Sequence, residues 1–151
     1  KMFDPDGTFP GPYAYDNLPG YLSRFSEEFR EAILETSVPC FGPFDPDIIH
    51  YGPPSAEQVK CRAFLLSADE ACKYFADDAA RSSEGTAFAK ERGLYIDYNG
   101  KSRWWLRTPG YTDYRASFVQ ACGFIDTYGL SVWINQGTLR PAMWVKAEAL
   151  A

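Results

Sequence analysis

Residues 103–145 read RWWLRTPGYTDYRASFVQACGFIDTYGLSVWINQGTLRPAMWV. Short β-prone runs at Arg103–Arg107, Ala116–Gln120, Phe124–Asp126, Ser131–Ile134 and Leu139–Val145 are set apart by Pro109-Gly110, Gly123, Gly129 and Gly137. Runs of this length, rich in aromatic and β-branched side chains and bounded by Gly or Pro, predict strands joined by turns. Leu94–Tyr98, stopped by Asn99-Gly100, adds a strand in front of them.

Helix signals lie upstream. Ser26 is a capping residue followed by Glu27 and Glu28 at the positive end of a helix dipole, and Phe25, Phe29 and Ile33 recur every four residues. This predicts a helix from Ser26 to near Thr36, before Pro39. Ser67-Ala68-Asp69-Glu70 forms a capping box that follows a strand at Lys60–Leu66 and opens a helix with Ala71, Tyr74 and Phe75 inward. A further short helix over 84–92 stops at Gly93, a left-handed C-cap. Residues 1–21 and 37–57 are punctuated by Pro and Gly and predict irregular chain. Helices first and strands last, without alternation, predict an α+β fold of two or three helices, a small twisted antiparallel sheet and extensive loops.

At 151 residues the chain has the length of one domain with its own core. Aromatic residues make up 17% of it, against 23% charged. No apolar run approaches the eighteen residues of a membrane span, so membrane insertion is not expected. The net charge of −5 argues against a general nucleic-acid binder, which needs clustered Lys and Arg to attract phosphate. The charge is uneven: acidic residues outnumber basic ones nine to three in 1–50, but basic outnumber acidic six to three in 101–151. That basic third also holds all four Trp, so recognition is expected there. The chain opens on Lys1-Met2 without a signal-peptide pattern, and a preceding segment is expected to be missing.

Catalytic and metal signatures are weak. The one histidine, His50, has no nucleophile motif around it. No phosphate-binding glycine loop occurs. Cys40, Cys61, Cys72 and Cys122 include no C-x-x-C pair, which argues against a zinc site and leaves free thiols and disulfides both open. Asp4-Pro5-Asp6-Gly7 starts like a calcium loop but lacks the later ligands, and reads as a solvated turn. The expectation is a protein without catalytic residues, metal or cofactor.

The motifs at Arg103–Gly110 and Leu139–Val145 resemble those of a large, uncharacterised bacterial domain family carrying W-W-L-R-(S/T)-P-G, then A-x-(Y/F)-V, D-G-x-(V/I) and G-V-R-P-A-(L/M)-W. Phe64–Phe75 and the helix at 25–34 match it too, so the resemblance covers 25–145. These end motifs are similar to those of C-type-lectin-like domains of the formylglycine-generating-enzyme type. Such domains bring their chain ends together, and some are the variable ligand-binding proteins of diversity-generating retroelements, in which adenine-templated codons are rewritten.

The resemblance implies a single C-type-lectin-like domain over 1–151 with a variable ligand-binding region within 103–145. Family members often have Asn and Ser where this chain has Tyr111, Asp113, Tyr114, Arg115, Gln120, Cys122, Phe124, Asp126, Tyr128, Leu130, Ser131, Trp133, Ile134, Asn135 and Gln136. All but Ile134 form the expected ligand-contact set. Ala116, Phe118, Val119, Gly123, Ile125, Gly129, Val132 and Gly137 match the fixed frame, with Phe118, Ile125 and Val132 expected in the core. Cys122 departs from the usual Asp. Trp104, Trp105 and Trp144 read as core, and Arg107 and Arg140 as structural ion pairs or carbonyl clamps. Tyr111, Tyr114, Tyr128 and Trp133 fit either a core or a recognition surface, whose composition favours such rings.

The implied function is a non-enzymatic receptor-binding or adhesion module for a protein or glycan on another cell or particle, located at a cell surface, secreted or on a virion. A self-assembling surface or tail module is the alternative. A formylglycine-generating-type oxidase would need a copper-binding cysteine pair, and only Cys122 lies in the relevant region.

Overall fold

The computed structural model describes residues 21–41, 54–134 and 136–150. In chain order the elements are α1 (Glu27–Ala32), β1 (Thr36–Phe41), β2 (Pro54–Cys61), β3 (Phe64–Leu65), α2 (Ala68–Tyr74), α3 (Asp78–Arg81), β4 (Ser83–Glu84), α4 (Ala87–Glu91), β5 (Lys101–Ser102), β6 (Trp104–Pro109), β7 (Arg115–Val119), β8 (Ile125–Ser131) and β9 (Pro141–Ala142), with 3-10 turns at Tyr21–Arg24 and Ala147–Leu150. The fold is α+β, with small sheets and short helices, and no described helix is long and apolar enough to cross a membrane. The described residues group into two compact units.

One unit joins 21–40, 56–64 and 141–150. Ser26 caps α1 by accepting a hydrogen bond from the Phe29 N–H at 3.2 Å. The helix stops at Ala32, short of Thr36, because the chain turns extended at Ile33 and pairs with the C-terminal segment. Leu34 N–H donates to Trp144 O at 2.8 Å and Lys146 N–H to Ala32 O at 3.0 Å. Leu22, Ile33 and Ala63 are buried there, with Tyr21, Phe25, Phe29, Met143 and Val145 packed against them. The stretch expected to be irregular from 37 instead forms β1, paired with β2. Trp144 is half exposed, not core, although its backbone takes part in the pairing. The expected strand at Leu139–Val145 reduces to β9 and an isolated bridge at Val145.

The other unit holds Phe41, 54–55 and 65–140, and is organised by β6. Alternation decides its sides: Trp104, Leu106 and Thr108 are buried, while Trp105, Arg107 and Pro109 are half-buried. Fully burying a side chain such as Leu106 contributes about 2 kcal/mol. Helix α2 packs on β6, and two polar links fix its position. The buried Thr108 hydroxyl accepts from Ala68 N–H at 2.8 Å. The Arg107 guanidinium makes a two-pronged ion pair with Glu70 and also donates to Leu65 O at 3.1 Å, so it is at once ion pair and carbonyl clamp. Glu70 meanwhile completes the capping box of α2, accepting from Ser67 N–H at 2.9 Å.

The Trp104 indole N–H donates to Arg81 O at 3.0 Å, and the Arg140 guanidinium lies over the rings of Phe75 and Trp104 at 4.7 and 5.1 Å. Of the α2 residues expected inward, Ala71 is fully buried and Phe75 packs its ring against Trp104 at 6.0 Å, but Tyr74 is exposed. Residues 94–98 alternate like a strand but pair with nothing regular. Instead the Asp97 carboxylate accepts from Asn99 N–H and Lys101 N–H, which folds them into a turn. Cys40, Cys61, Cys72 and Cys122 are not joined in disulfides.

β6, β7 and β8 form an antiparallel sheet in that order. The expected strands at Phe124–Asp126 and Ser131–Ile134 are replaced by the single strand β8, which runs through Gly129.

Glu70 supplies a pH test. Burial alone raises its pKa, but hydrogen bonds from Arg107 and Ser67 and the Arg107 charge outweigh it and hold the carboxyl below its ordinary value. A depressed folded pKa gives stability that is present above the unfolded pKa of about 4.3 and is lost as pH falls through the folded one. Glu70→Gln is expected to cost about 2 kcal/mol at pH 7 and to flatten the decline in stability as pH falls below the unfolded value of about 4.3, read by urea denaturation at each pH. An equal slope in both proteins would show that Glu70 does not drive it.

Candidate ligand-binding surface

The site residues are placed by how β7 and β8 pair. Ala116 stands opposite Leu130 and Phe118 opposite Asp126, so residues 127–129 of β8 face the single residue Ser117. This is an enlarged bulge, and bulges re-aim side chains. Gly129 has φ +80°, and a Cβ there would lie 2.7 Å from Ala116 O and 3.0 Å from the Gly110 Cα. Only glycine fits, and for two reasons: the left-handed backbone and the close approach of two neighbouring chains. The turn expected at Gly129 is therefore a bulge inside a strand.

The bulge lifts Tyr128 into solvent, where its side is 58% exposed. Its ring stacks on Tyr111 at a centroid distance of 5.0 Å and an interplanar angle of 17°. The Arg115 guanidinium lies over the same ring at 4.6 Å and donates to Gly129 O at 3.0 Å. Backbone bonds tie down the surrounding chain: Tyr111 N–H donates to Tyr128 O, Gly110 N–H to Arg115 O and Val132 N–H to Tyr114 O, at 2.9 to 3.0 Å. Tyr114 is exposed beside this anchored backbone, and Trp133 projects with 84% of its surface free. Val132, expected in the core, is exposed as well, because the chain leaves the sheet in a turn after Ser131.

At the opposite end of the sheet the β7–β8 turn carries Gln120, Cys122 and Phe124. Gln120 N–H donates to Phe124 O and Gly123 N–H to Gln120 O, both at 2.8 Å. The Arg81 side chain donates to Gly123 O at 3.0 Å and Ser82 Oγ to Ala121 O at 2.7 Å, fastening this turn to the α3 region. Gln136 accepts from Arg103 at 3.2 Å near the start of β6. Four steps of strand, about 13 Å at roughly 3.3 Å each, separate the two ends along β7.

The fourteen expected contact residues thus do not form one patch. Tyr111, Asp113, Tyr114, Arg115, Tyr128, Leu130, Ser131 and Trp133 gather at one end; Gln120, Cys122 and Phe124 sit at the other, Asp126 between, and Gln136 apart. Asn135 lies outside the described residues, as do His50 and residues 4–7. Of the thirteen described, eight are exposed, five half-buried and none buried. The frame is sunk deeper: Phe118, Val119, Gly123 and Gly129 are buried.

Residues 14–147 match DUF6273, described as a domain of unknown function. The chain belongs to the DUF6273 family. No curated protein and no solved structure matches it. In this DUF6273 chain further exposed large hydrophobic side chains lie outside the expected region, at Phe88, Tyr95, Ile96 and Tyr98, with Tyr98 97% exposed. Its sequence signal was the turn-forming Asp97-Tyr98-Asn99-Gly100, hidden by the strand-like alternation around it.

Gly129→Ala of the DUF6273 chain is expected to lose about 3 kcal/mol of stability, from strain at positive φ plus backbone overlap. Gly93→Ala, also at positive φ but with nothing within 4 Å of its Cβ, should lose only about 1 kcal/mol. Equal losses on denaturant unfolding would count against the close-approach explanation.

Proposed function

We propose that the chain is a non-enzymatic binding module whose recognition surface is the sheet end carrying Tyr111, Tyr114, Arg115, Tyr128 and Trp133. The observation that carries this is that four large aromatic side chains are exposed together on backbone that is hydrogen-bonded in place. Exposed Trp and Tyr cost solubility. At recognition surfaces they give large contact area at low entropic cost, and with Arg they dominate binding hot spots. The ligand class that fits is a protein or glycan on another cell or particle, with the module at a cell surface, secreted or on a virion.

A C-type-lectin-like fold belongs to the same proposal. It is supported by the small antiparallel sheet, the few short helices and the pairing of 32–34 with 144–146. Diversification of 111–136 is its narrowest part, supported by the contrast between contact positions of which none described is buried and a frame of which half is. An imperfect copy of the 107–140 coding segment, differing at adenines and lying beside a reverse-transcriptase gene, is the expected genomic signature. A locus with neither feature would sink diversification but not binding.

For binding itself, the whole chain is screened against a glycan array and a display library of cell-surface proteins. Trp133→Ala and Tyr128→Ala are then expected to weaken capture of the partner found by about tenfold or more. Their unfolding free energies should stay within about 1 kcal/mol of the parent. Unaltered capture, or unfolding in place of lost capture, would overturn the assignment.

A further inference from the structure

Asp126 was expected to touch ligand, yet both of its carboxylate oxygens are engaged within the chain. Oδ1 accepts from Gly129 N–H at 3.1 Å, closing the bulge from 126 to 129 as a side-chain-capped turn. Oδ2 accepts from the Gln120 side-chain amide at 3.0 Å, across the β7–β8 pair. Beyond Gly129 the connections continue to the aromatic surface. The Gly129 carbonyl is held by Arg115, whose guanidinium lies over Tyr128. The Tyr128 carbonyl is held by Tyr111 N–H, and the two rings stack.

We infer that Gln120 and Asp126 are positioning residues that fix the 127–129 bulge and so set where the Tyr111–Tyr128 pair stands. The inference rests on the binding role proposed above, and it deepens it. Replacements at 120 or 126 re-aim the recognition surface from beneath, while replacements at 111, 128 or 133 change what it presents. The charge on Asp126 matters because a carboxylate accepts a stronger hydrogen bond from a backbone N–H than a neutral group does. A bulge has few ladder bonds of its own to hold its shape.

Hydrogen exchange and two-dimensional NMR of the whole chain test this without any ligand, so failure here leaves the binding proposal standing, while failure to bind removes the role in recognition and not the measured positioning. In Asp126→Ala the Gly129 amide should exchange on the order of tenfold faster, the loss expected for one hydrogen bond to a charged group. Cross-peaks between the Tyr111 and Tyr128 rings should disappear. The amides of Trp105 and Arg107, bonded to Thr138 O and Leu66 O, should keep their exchange rates. Asp126→Asn, which keeps one acceptor oxygen for the Gly129 N–H without the charge, should restore the protection and the cross-peaks in part. Gln120→Ala should shift both readouts in the same direction by less, and it decides the matter if Asp126→Ala does not fold. The proposal is overturned if Gly129 exchange and the ring contacts are unchanged, if Trp105 and Arg107 lose protection in step with Gly129, or if Asn rescues nothing.

Discussion

The Glu70 carboxylate does two jobs within one short stretch of space. It closes the N-terminus of α2 on Ser67, and it takes the guanidinium of Arg107 from β6. A helix of seven residues is too short to be stable alone, so its position depends on what it is tied to. Here the tie is charged, two-pronged and partly shielded from water, which makes it directional as well as attractive. With Thr108 accepting from Ala68 one residue further along β6, helix and strand are locked in register. β7 and β8 are laid down in turn on β6, so the geometry of the aromatic end is inherited from this junction.

Local signals were legible in the sequence wherever the chemistry was local. Ser26, Ser67 and Gly93 act as read, because a cap is decided by residues within one turn of it. The buried face of Trp104 and the carbonyl clamps of Arg107 on Leu65 and of Arg140 on Arg81, the latter at 3.3 Å, also followed from the sequence. What was not legible depends on distant partners. Gly129 marks a positive φ, but a turn and a bulge ask for the same residue, and only the approach of Ala116 and Gly110 distinguishes them. Leu94–Tyr98 has the alternation of a strand and lacks a neighbour to pair with; Asp97 captures the backbone instead. The helix from Ser26 was overextended because its end is set by pairing with residues more than a hundred positions away.

For the proposed contact residues, lack of burial was legible in the sequence and arrangement was not. They were expected from a frame-and-insert pattern along the chain, and none of those described is buried. Sequence order, however, places Gln120 and Tyr128 close together while the hairpin sends them to different ends of the sheet. The same hairpin brings Tyr111 against Tyr128, seventeen positions away. Family membership adds extent to this picture, since the matched 14–147 include every element from α1 to β9, so the junction and the aromatic end belong to one inherited domain.

The pairing of 32–34 with 144–146 has a mechanical side. Ala32 is bonded to Lys146 and Leu34 to Trp144, so the strands run in opposite directions and the two outward-leading ends of the chain leave from the same edge of the pair. A seam paired in this sense meets a pull on its two ends one hydrogen bond at a time, like a zipper, and does not slide as a block.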